Sequence, residues 1–444
     1  MFCDVAIIGG GPGGYSAALK AVKNAASVVL IEADELGGVC LNRGCIPSKT
    51  LLKSASLFRD INKSSNYGID VENVSVSMQK IIERKNKVVS ALKSGLTSHL
   101  KAEGIQIINA PAKIEGNRII VGDTNVEAKK IIIATGSSPA KPSIKGIDSE
   151  SVIFSDQVFL MDQIPSSIVI IGGGVIGLEF SSFFNMLGSK VSVIELKDEI
   201  LQGFDEEIQS EASKLFMRHG IDIITGAKVI EIKDGIVVFE KEGETKEVTG
   251  EKILVSTGRT PNTKGLFDKN SKIKMDKGFI SVDKKMRTNI ENIYAVGDVV
   301  GKSMLAHSAM AEGIIAANNA LGNESEMSYS VIPKCVYTFP EIASVGLTEN
   351  EAVASGYQVK KAKAPVRSNG RALADGTIEG FIKILADEKS ERILGVHIIG
   401  PYATEMITEA EIAIIKRMKI DEFDLIIHPH PTVSELIGNM LNDM

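Results

Sequence analysis

Residues 5–14 read Val-Ala-Ile-Ile-Gly-Gly-Gly-Pro-Gly-Gly, an apolar run that leads into the pattern G-x-G-x-x-G at Gly9, Gly11 and Gly14. The apolar run predicts a buried strand, and the glycines predict a tight turn into a helix. A second strand, predicted at 27–31, ends at Glu32, 23 residues after the first glycine. This order is typical of a βαβ dinucleotide-binding unit, in which the backbone approaches a pyrophosphate and the acid accepts hydrogen bonds from a ribose.

The same order recurs later in the chain. An apolar strand at 168–171 leads into Gly172, Gly174 and Gly177, and a strand at 190–194 ends at Glu195, again 23 residues after the first glycine. A lone glycine pattern also fits a strand–helix turn that binds nothing, but two copies closed by an acid are far more specific. Two nucleotide sites in one chain suggest electron transfer between two cofactors.

The remaining sequence predicts an α/β fold. Each unit is followed by alternating strands and a further glycine turn, at Thr135-Gly136 and at Gly258. From Tyr329 the pattern changes to longer strands and amphipathic helices without glycine fingerprints. We therefore expect two Rossmann-like domains and a C-terminal α+β domain, with the linker at 322–328.

Composition excludes several classes of protein. The chain has 444 residues, a net charge of −6, 44% hydrophobic residues and 24% charged residues. The negative charge argues against nucleic acid as the main partner, and no apolar run is long enough to span a bilayer. Four cysteines do not form a secreted disulfide scaffold, and the first strand follows Met1 too closely for a signal peptide. We expect a soluble, cytoplasmic protein.

Cys40 and Cys45 lie five residues apart just beyond the first unit. In a regular helix their Cα atoms would be roughly 8–9 Å apart, whereas a disulfide tolerates at most about 7 Å. If the two pair, the turn must be distorted, and Asn42 and Gly44 allow that. A strained disulfide beside a redox cofactor is usually catalytic. A metal pair and two buried free thiols are the alternatives, although few further metal ligands exist.

Cys45 precedes Ile46-Pro47-Ser48-Lys49, which resembles a first helical turn and would favour a thiolate at Cys45. Lys49 itself could be an ordinary solvated lysine. Glu179 follows the second fingerprint on an otherwise apolar helix face, where an unpaired acid would be costly. An acid at this position is therefore expected to have a cationic partner.

The segment 428–435 reads His-Pro-His-Pro-Thr-Val-Ser-Glu. Thr432 and Glu435 have the spacing of a capping box, so a structural role for the glutamate is a good alternative. The His430–Pro431 bond is a candidate for the cis form. At Glu195, a carboxylate accepts ribose hydroxyls but repels a 2′-phosphate, which favours NAD over NADP.

These motifs together resemble one family along essentially the whole chain, the pyridine nucleotide–disulfide oxidoreductases, and within it the dihydrolipoamide dehydrogenases. The matching residues also include Val296-Gly297-Asp298, Leu305-Ala306-His307 and Phe339-Pro340-Glu341. The resemblance implies an FAD-binding domain at 1–143, an NAD-binding domain at 144–262, a central segment at 263–325 that returns to the FAD domain, and a dimerisation domain at 326–444. It implies oxidation of protein-bound dihydrolipoamide to lipoamide with reduction of NAD⁺.

The resemblance also assigns roles to single residues. Cys45 would face the flavin and Cys40 would exchange with the substrate. Lys49 would lie near the flavin and form an ion pair with Glu179. His430, oriented by Glu435, would act as acid and base on the disulfide of the partner subunit in a homodimer, and His428 would only support it. Further expected contacts are Lys49, Ala112, Thr135, Gly136, Asp298 and Ala306 for FAD, and Val229 and Gly258 for NAD.

Two departures from the family pattern lie at the cysteines. Val39 replaces the usual threonine, and Arg43 adds a positive charge that we expect to lower a thiol pKa. The nearest alternative function is a related reductase of glutathione disulfide, coenzyme A disulfide or mercuric ion. A flavin-binding subunit without catalysis, organising lipoyl proteins, is a second alternative.

Overall fold

The first sheet carries the first fingerprint. The structure, a computed structural model, describes residues 1–116, 118–268 and 270–441. The sheet has the order β3-β2-β1-β6-β5-β4, with β19 paired to β6. Strands β1, β2, β3, β6 and β19 pair in parallel, whereas β4 and β5 add an antiparallel extension. The strands are β1 (Phe2–Ile8), β2 (Val28–Glu32), β3 (Gln106–Asn109), β4 (Ala112–Glu115), β5 (Arg118–Val121), β6 (Thr124–Ile133) and β19 (Ile293–Ala295).

The second sheet is fully parallel and carries the second fingerprint, with the order β11-β10-β9-β15-β8. Its strands are β8 (Val152–Phe154), β9 (Ser167–Ile171), β10 (Lys190–Ile194), β11 (Ile221–Ile224) and β15 (Lys252–Val255). A meander and two short pairs complete this part, with the strands β12 (Lys228–Lys233), β13 (Ile236–Lys241), β14 (Glu244–Thr249), β7 (Ser137–Pro139), β16 (Arg259–Pro261), β17 (Met275–Asp276) and β18 (Phe279–Ile280). Strand β16 pairs with β7 and so joins the two halves.

The third sheet is antiparallel, in the order β20-β21-β24-β23-β22. Its strands are β20 (Lys334–Val336), β21 (Glu341–Gly346), β22 (Val359–Pro365), β23 (Phe381–Asp387) and β24 (Ile393–Gly400). Strands β23 and β24 are buried along their whole length because helices cover the sheet. The helices of this domain are α9 (Glu349–Ala354), α10 (Gly370–Asp375), α11 (Ala403–Ile415), α12 (Ile420–Asp424) and α13 (Glu435–Leu441).

The other helices flank the two parallel sheets. They are α1 (Pro12–Lys23), α2 (Gly38–Arg43), α3 (Cys45–Asn62), α4 (Met78–Ala102), α5 (Ser155–Val158), α6 (Val175–Met186), α7 (Glu206–Arg218) and α8 (Ala306–Ala320), with 3-10 helices at Ser64–Tyr67, Gly297–Val300 and Val366–Ser368. Helices α1 and α8 approach so closely that a Cβ on Gly313 would lie 2.2 Å from the Gly13 carbonyl oxygen. Glycine at this crossing therefore brings the 297–306 segment against the first fingerprint.

The predicted fold class is confirmed: two Rossmann-like sheets precede an α+β domain. Both fingerprint strands and helices form where the sequence predicts them; α6, which contains Gly177, ends at Met186, and α8, which begins at Ala306, ends at Ala320. The domain boundaries at 143, 262 and 325 stay predictions. Across the described residues, no helix combines the length and the apolar character that crossing a membrane requires.

Candidate active site

The first fingerprint turn is held by its own acid. Gly9 has a φ of 106°, and a Cβ there would lie 2.2 Å from the Ala134 carbonyl oxygen, so only glycine fits. A Cβ on Gly14 would lie 1.8 Å from the Gly9 oxygen, because helix α1 packs directly on the end of strand β1. Glu32 accepts the Gly10 N–H at 2.6 Å and the Asp34 N–H at 2.8 Å.

The second turn repeats this geometry. Gly172 has a φ of 113°, and a Cβ on Gly177 would lie 2.1 Å from the Gly172 oxygen. Glu195 accepts the Gly173 N–H at 2.6 Å and the Lys197 N–H at 2.9 Å. Each carboxylate has acceptor capacity beyond two N–H groups, so both acids can also receive ribose hydroxyls.

Both turns open into one cavity of about 1680 Å³, which also contains the two cysteines. Gly14 and Gly177 do not line it, because they pack helix against strand. Every other residue predicted to contact a cofactor lines it: Gly9, Gly11, Glu32, Lys49, Ala112, Thr135, Gly136, Gly172, Gly174, Glu195, Val229, Gly258, Asp298 and Ala306. Their contacts with a cofactor remain predictions.

The two cysteines lie on either side of a helix break. Cys40 belongs to α2, and Cys45 begins α3, with Gly44 between the two helices at φ −144° and ψ −113°. A Cβ on Gly44 would lie 2.9 Å from the Val39 oxygen and 3.3 Å from the Cys40 Cα, so glycine allows the close approach. The expected distortion of the turn is confirmed. Both cysteines are free thiols in this structure, and their oxidation to a disulfide stays a prediction.

The two thiols differ in acidity. The hydrogen bond between them lowers the pKa of Cys45, and burial opposes this effect, while the Lys49 ammonium adds to it; the resulting pKa is about 7. The same hydrogen bond, burial and the negative charge on Cys45 raise the pKa of Cys40. Cys45, at the start of α3, is therefore the thiolate and Cys40 the thiol, as the helical turn predicts.

The predicted pair of Lys49 and Glu179 is confirmed. The Lys49 Nζ lies 2.9 Å from both carboxylate oxygens, and the Glu179 side chain is 7% exposed. The Tyr337 backbone N–H also donates to Glu179 at 3.1 Å, and the Lys49 Nζ lies 4.4 Å from the centre of the Tyr337 ring. The pair therefore joins α3, α6 and the residue that follows β20, and it fixes a positive charge beside Cys45.

Arg43 contacts two acids, and its expected effect on a thiol pKa stays a prediction. Its guanidinium bonds to Asp34 and lies 3.7 Å from Asp156 in α5, and it is absent from the main influences on either thiol pKa. Asp34 belongs to the first Rossmann unit and Asp156 to the second, so these ion pairs of Arg43 link helix α2 to both units. No contact explains Val39.

Four residues that the sequence analysis missed hold the Gly297–Asp298 segment. The Ser137 hydroxyl donates to Asp298, and Arg259 donates to the Ser137 hydroxyl at 2.6 Å while lying 3.5 Å from Asp298. On the other side, buried Glu312 accepts the Gly297 N–H and the Tyr329 hydroxyl, each at 2.6 Å. Burial raises the pKa of Glu312 to about 7. Sequence position could have indicated two of these residues, because Arg259 directly follows Gly258 and Glu312 lies about two helical turns after Ala306.

The C-terminal histidine pair lies apart from the cavity. His430 Nδ1 is 2.8 Å from Glu435 Oε1, and the His430 side chain is 84% exposed. The His430–Pro431 bond is cis, as expected. The capping box is only half formed, because Glu435 accepts the Thr432 N–H at 2.8 Å but Thr432 Oγ1 donates to the Pro429 oxygen, and α13 begins at Glu435.

His428 is buried and lies 2.7 Å from Glu409, which fits a supporting role. The neighbouring side chains are apolar and exposed, with Leu425 at 81% and Ile427 at 95%. An exposed histidine–glutamate pair beside an exposed apolar segment is the arrangement of a surface that another chain covers.

The residues present fit two dinucleotides. A Cβ on Gly136, Gly174 or Gly258 would meet no atom within 4 Å, so these backbones face open space in the cavity. Gly174 is the N-cap of helix α6, where a phosphate can approach the helix N-terminus, whereas Gly136 and Gly258 lie in the turns that follow β6 and β15. In the ranges that the structure describes, no group of three or more His, Cys, Asp or Glu side chains is placed to hold a metal.

The comparisons with known proteins agree with this geometry. The chain is 42% identical to a dihydrolipoyl dehydrogenase of Bacillus subtilis, over 98% of this chain and 96% of that protein. It is 40% identical to a dihydrolipoyl dehydrogenase of Chlamydia muridarum, over 98% of this chain and 95% of that protein.

Solved structures show the same fold. LpdA from Mycobacterium tuberculosis matches with a TM-score of 0.91 at 28% sequence identity. The flavoprotein disulfide reductase RclA from Escherichia coli matches with a TM-score of 0.89, also at 28% sequence identity. Each comparison covers 99% of both chains. Because sequence identity to the dihydrolipoyl dehydrogenases is higher, the alternative of a different disulfide reductase is not favoured.

The family models cover almost the whole chain. Residues 3–313 match pyridine nucleotide-disulphide oxidoreductase, and residues 332–441 match the dimerisation domain of the same family. Proteins of this family use FAD and NAD(H). This chain belongs to the pyridine nucleotide-disulphide oxidoreductases.

Proposed function

We propose that the chain oxidises dihydrolipoamide to lipoamide and reduces NAD⁺ to NADH. One observation carries the proposal: a thiol pair of unequal acidity lies in a cavity that two dinucleotide cradles share. Hydride exchange and thiol exchange require such neighbouring sites. The substrate is proposed to be a lipoyl group carried by another protein.

The first half of the reaction is a thiol–disulfide exchange at the oxidised Cys40–Cys45 pair. A substrate thiolate attacks the Cys40 sulfur, and the Cys45 thiolate leaves because it is the more acidic thiol. The second substrate thiol then attacks the substrate sulfur of the mixed disulfide, which releases lipoamide and the Cys40 thiolate. The substrate has lost two electrons and gained a disulfide bond, and the Cys40–Cys45 disulfide has been reduced to two thiols.

The chain's own residues manage charge and protons in these steps. His430 of the partner subunit, oriented by Glu435, is proposed to accept the substrate proton, because histidine is the side chain that most often transfers protons near neutral pH. Lys49 stabilises the Cys45 thiolate, and Glu179 keeps Lys49 in place. FAD, when bound, supplies the two-electron chemistry that links the thiols to NAD⁺.

The fit to FAD and NAD⁺ determines which residues would hold each group. Gly9, Gly11, Glu32 and Asp298 would hold FAD, with Ala306 at the start of α8 beside the flavin. Gly172, Gly174, Glu195 and Gly258 would hold NAD⁺. On the cysteine count alone, we further propose the cytoplasm as its compartment.

NADH formation from dihydrolipoamide tests the proposal. We expect NAD⁺ to support turnover and NADP⁺ to support little. Glutathione disulfide with NADPH is the control for the alternative reductase. Turnover of that pair without any dihydrolipoamide activity would contradict the proposal. A His430→Gln variant with near-normal turnover would contradict the role of the histidine.

A further inference from the structure

The segment 200–204 forms one wall of the cavity beside the second fingerprint. Leu201, Gln202 and Phe204 line the cavity. The Leu201 N–H donates to the carbonyl oxygen of Gly173, inside the fingerprint, at 3.0 Å. A shift of this segment would therefore move the turn that faces the dinucleotide.

The segment is strained where it meets the fingerprint. Leu201 has a φ of 53°, a left-handed conformation that residues with a Cβ rarely adopt, and its side chain is buried. Such a conformation persists only where the surrounding contacts hold it. One contact is local, because Gln209 Nε2 donates to the Leu201 carbonyl oxygen at 2.9 Å.

The other contacts come from the dimerisation domain. Lys334 Nζ donates to the Gly203 carbonyl oxygen at 2.6 Å. Lys383 Nζ lies 2.8 Å from Asp205, 2.9 Å from Glu207 and 2.7 Å from Glu349. The side chains of Lys383 and Asp205 are each only 2% exposed.

This cluster is charged despite its burial. Burial disfavours the charge on Lys383, but hydrogen bonds to the three carboxylates raise its pKa, and Lys383 in turn lowers the pKa of Asp205. Asp205 also accepts the Glu207 N–H at 3.1 Å as the cap of α7 and the Glu349 N–H at 3.1 Å. Removing one partner would leave a buried charge uncompensated.

We propose that Lys383 and Asp205 are positioning residues for the nicotinamide nucleotide. Through Asp205 the dimerisation domain fixes the strained segment 200–204, and this segment fixes the second fingerprint. The inference rests on the NAD⁺ site proposed above. It adds that nucleotide binding at this site depends on the dimerisation domain, which does not carry the fingerprint.

NADH binding to the holoenzyme, fully reduced beforehand so that it cannot accept hydride, tests this inference, followed by the change in nucleotide fluorescence. We expect Asp205→Asn, which keeps a side-chain cap for α7, and Lys383→Met to weaken NADH binding about tenfold. The KM for NAD⁺ should rise similarly, whereas flavin content and the KM for dihydrolipoamide stay unchanged. Lys383→Arg should restore part of the affinity.

Lys363→Met is the matched control. Lys363 also bonds to Glu207 across the same two domains, but its side chain is 44% exposed. An exposed pair contributes little, so its loss should change NADH affinity less than about twofold. Lys334→Met provides a second test that leaves no buried charge, and it should weaken NADH binding in the same direction by about threefold.

The outcomes separate this inference from the proposed function. Normal NADH affinity in Asp205→Asn, or in Lys334→Met if the buried variants do not fold, would overturn the inference and leave the function standing. An equal rise in the KM for both substrates would also overturn it, since that is a general structural defect. A wild-type holoenzyme that binds no NADH would overturn the function itself.

Discussion

The two fingerprint turns have nearly identical backbones but different surroundings. In each, the acid accepts at 2.6 Å the N–H of the residue after the first fingerprint glycine, Gly10 or Gly173, and the last glycine packs against the oxygen of the first. The first turn is covered, because a Cβ on Gly38, at the start of α2, would lie 2.7 Å from the Gly11 Cα. The second turn is open, since a Cβ on Gly174 would meet nothing within 4 Å.

The two acids differ in solvent exposure in the same way as the two turns. Glu32 is 8% exposed within a fully buried strand, whereas Glu195 is only partly buried and Leu196, directly after it, is 62% exposed. The chain that covers the first turn leads directly to Cys40. We infer that one motif serves two purposes: the covered turn retains FAD beside the thiols, and the open turn exchanges NAD⁺ and NADH.

The largest effect is expected from the packing glycines. Gly14→Ala forces a Cβ against the Gly9 oxygen and should abolish both flavin retention and activity. Gly177→Ala forces the same clash in the second unit, yet the protein should keep its flavin and lose NAD⁺ turnover about 100-fold. Flavin absorbance per chain after gel filtration distinguishes the two. Full flavin content in Gly14→Ala would contradict the assignment of the first unit to FAD.

Replacing each acid by serine tests whether the two sites bind different nucleotides. Glu195→Ser removes the charge that repels a 2′-phosphate, so the preference for NAD⁺ over NADP⁺ should fall by about ten- to a hundredfold. Glu32→Ser should weaken flavin binding and leave the preference unchanged. The ratio of kcat/KM for the two nucleotides is the measurement. If Glu32→Ser changed this ratio as much as Glu195→Ser, the two sites would be wrongly assigned.

A smaller effect is expected at the open glycine. Gly174→Ala places its Cβ in free space, so Tm should not change, while the KM for NAD⁺ should rise severalfold because the methyl group faces the pyrophosphate. Thermal unfolding and steady-state kinetics on one preparation separate these effects. An unchanged KM would show that the nucleotide does not approach this backbone.

The thiol pair makes a pH-dependent prediction. With its pKa at about 7, Cys45 is a thiolate above neutrality and becomes protonated as the pH falls through that value. In the reduced holoenzyme its alkylation rate by iodoacetamide should fall about tenfold per pH unit below the pKa. Lys49→Met removes a cation that lowers this pKa, so the midpoint should move to higher pH. A midpoint near 9.0 in wild type would contradict the thiol assignment.

Local patterns predicted the parts of the site that are local. The spacing from Gly9 to Glu32 and from Gly172 to Glu195 defined both cradles, and the apolar face around Glu179 indicated that this acid needs a partner, which the family resemblance identified as Lys49. Contacts between distant segments were missed, because no periodicity records them. Arg43 was read as a charge acting on the thiols, whereas the fold places Asp34 and Asp156 beside it.

A single-turnover experiment tests the central claim, that electrons pass from a thiol pair at a retained flavin to an exchangeable NAD⁺. The holoenzyme is reduced anaerobically with dihydrolipoamide, freed of excess substrate and mixed with NAD⁺. We predict about one NADH per chain from wild type and almost none from Cys45→Ser. No NADH from the reduced wild type, or an equal yield from Cys45→Ser, would contradict the account.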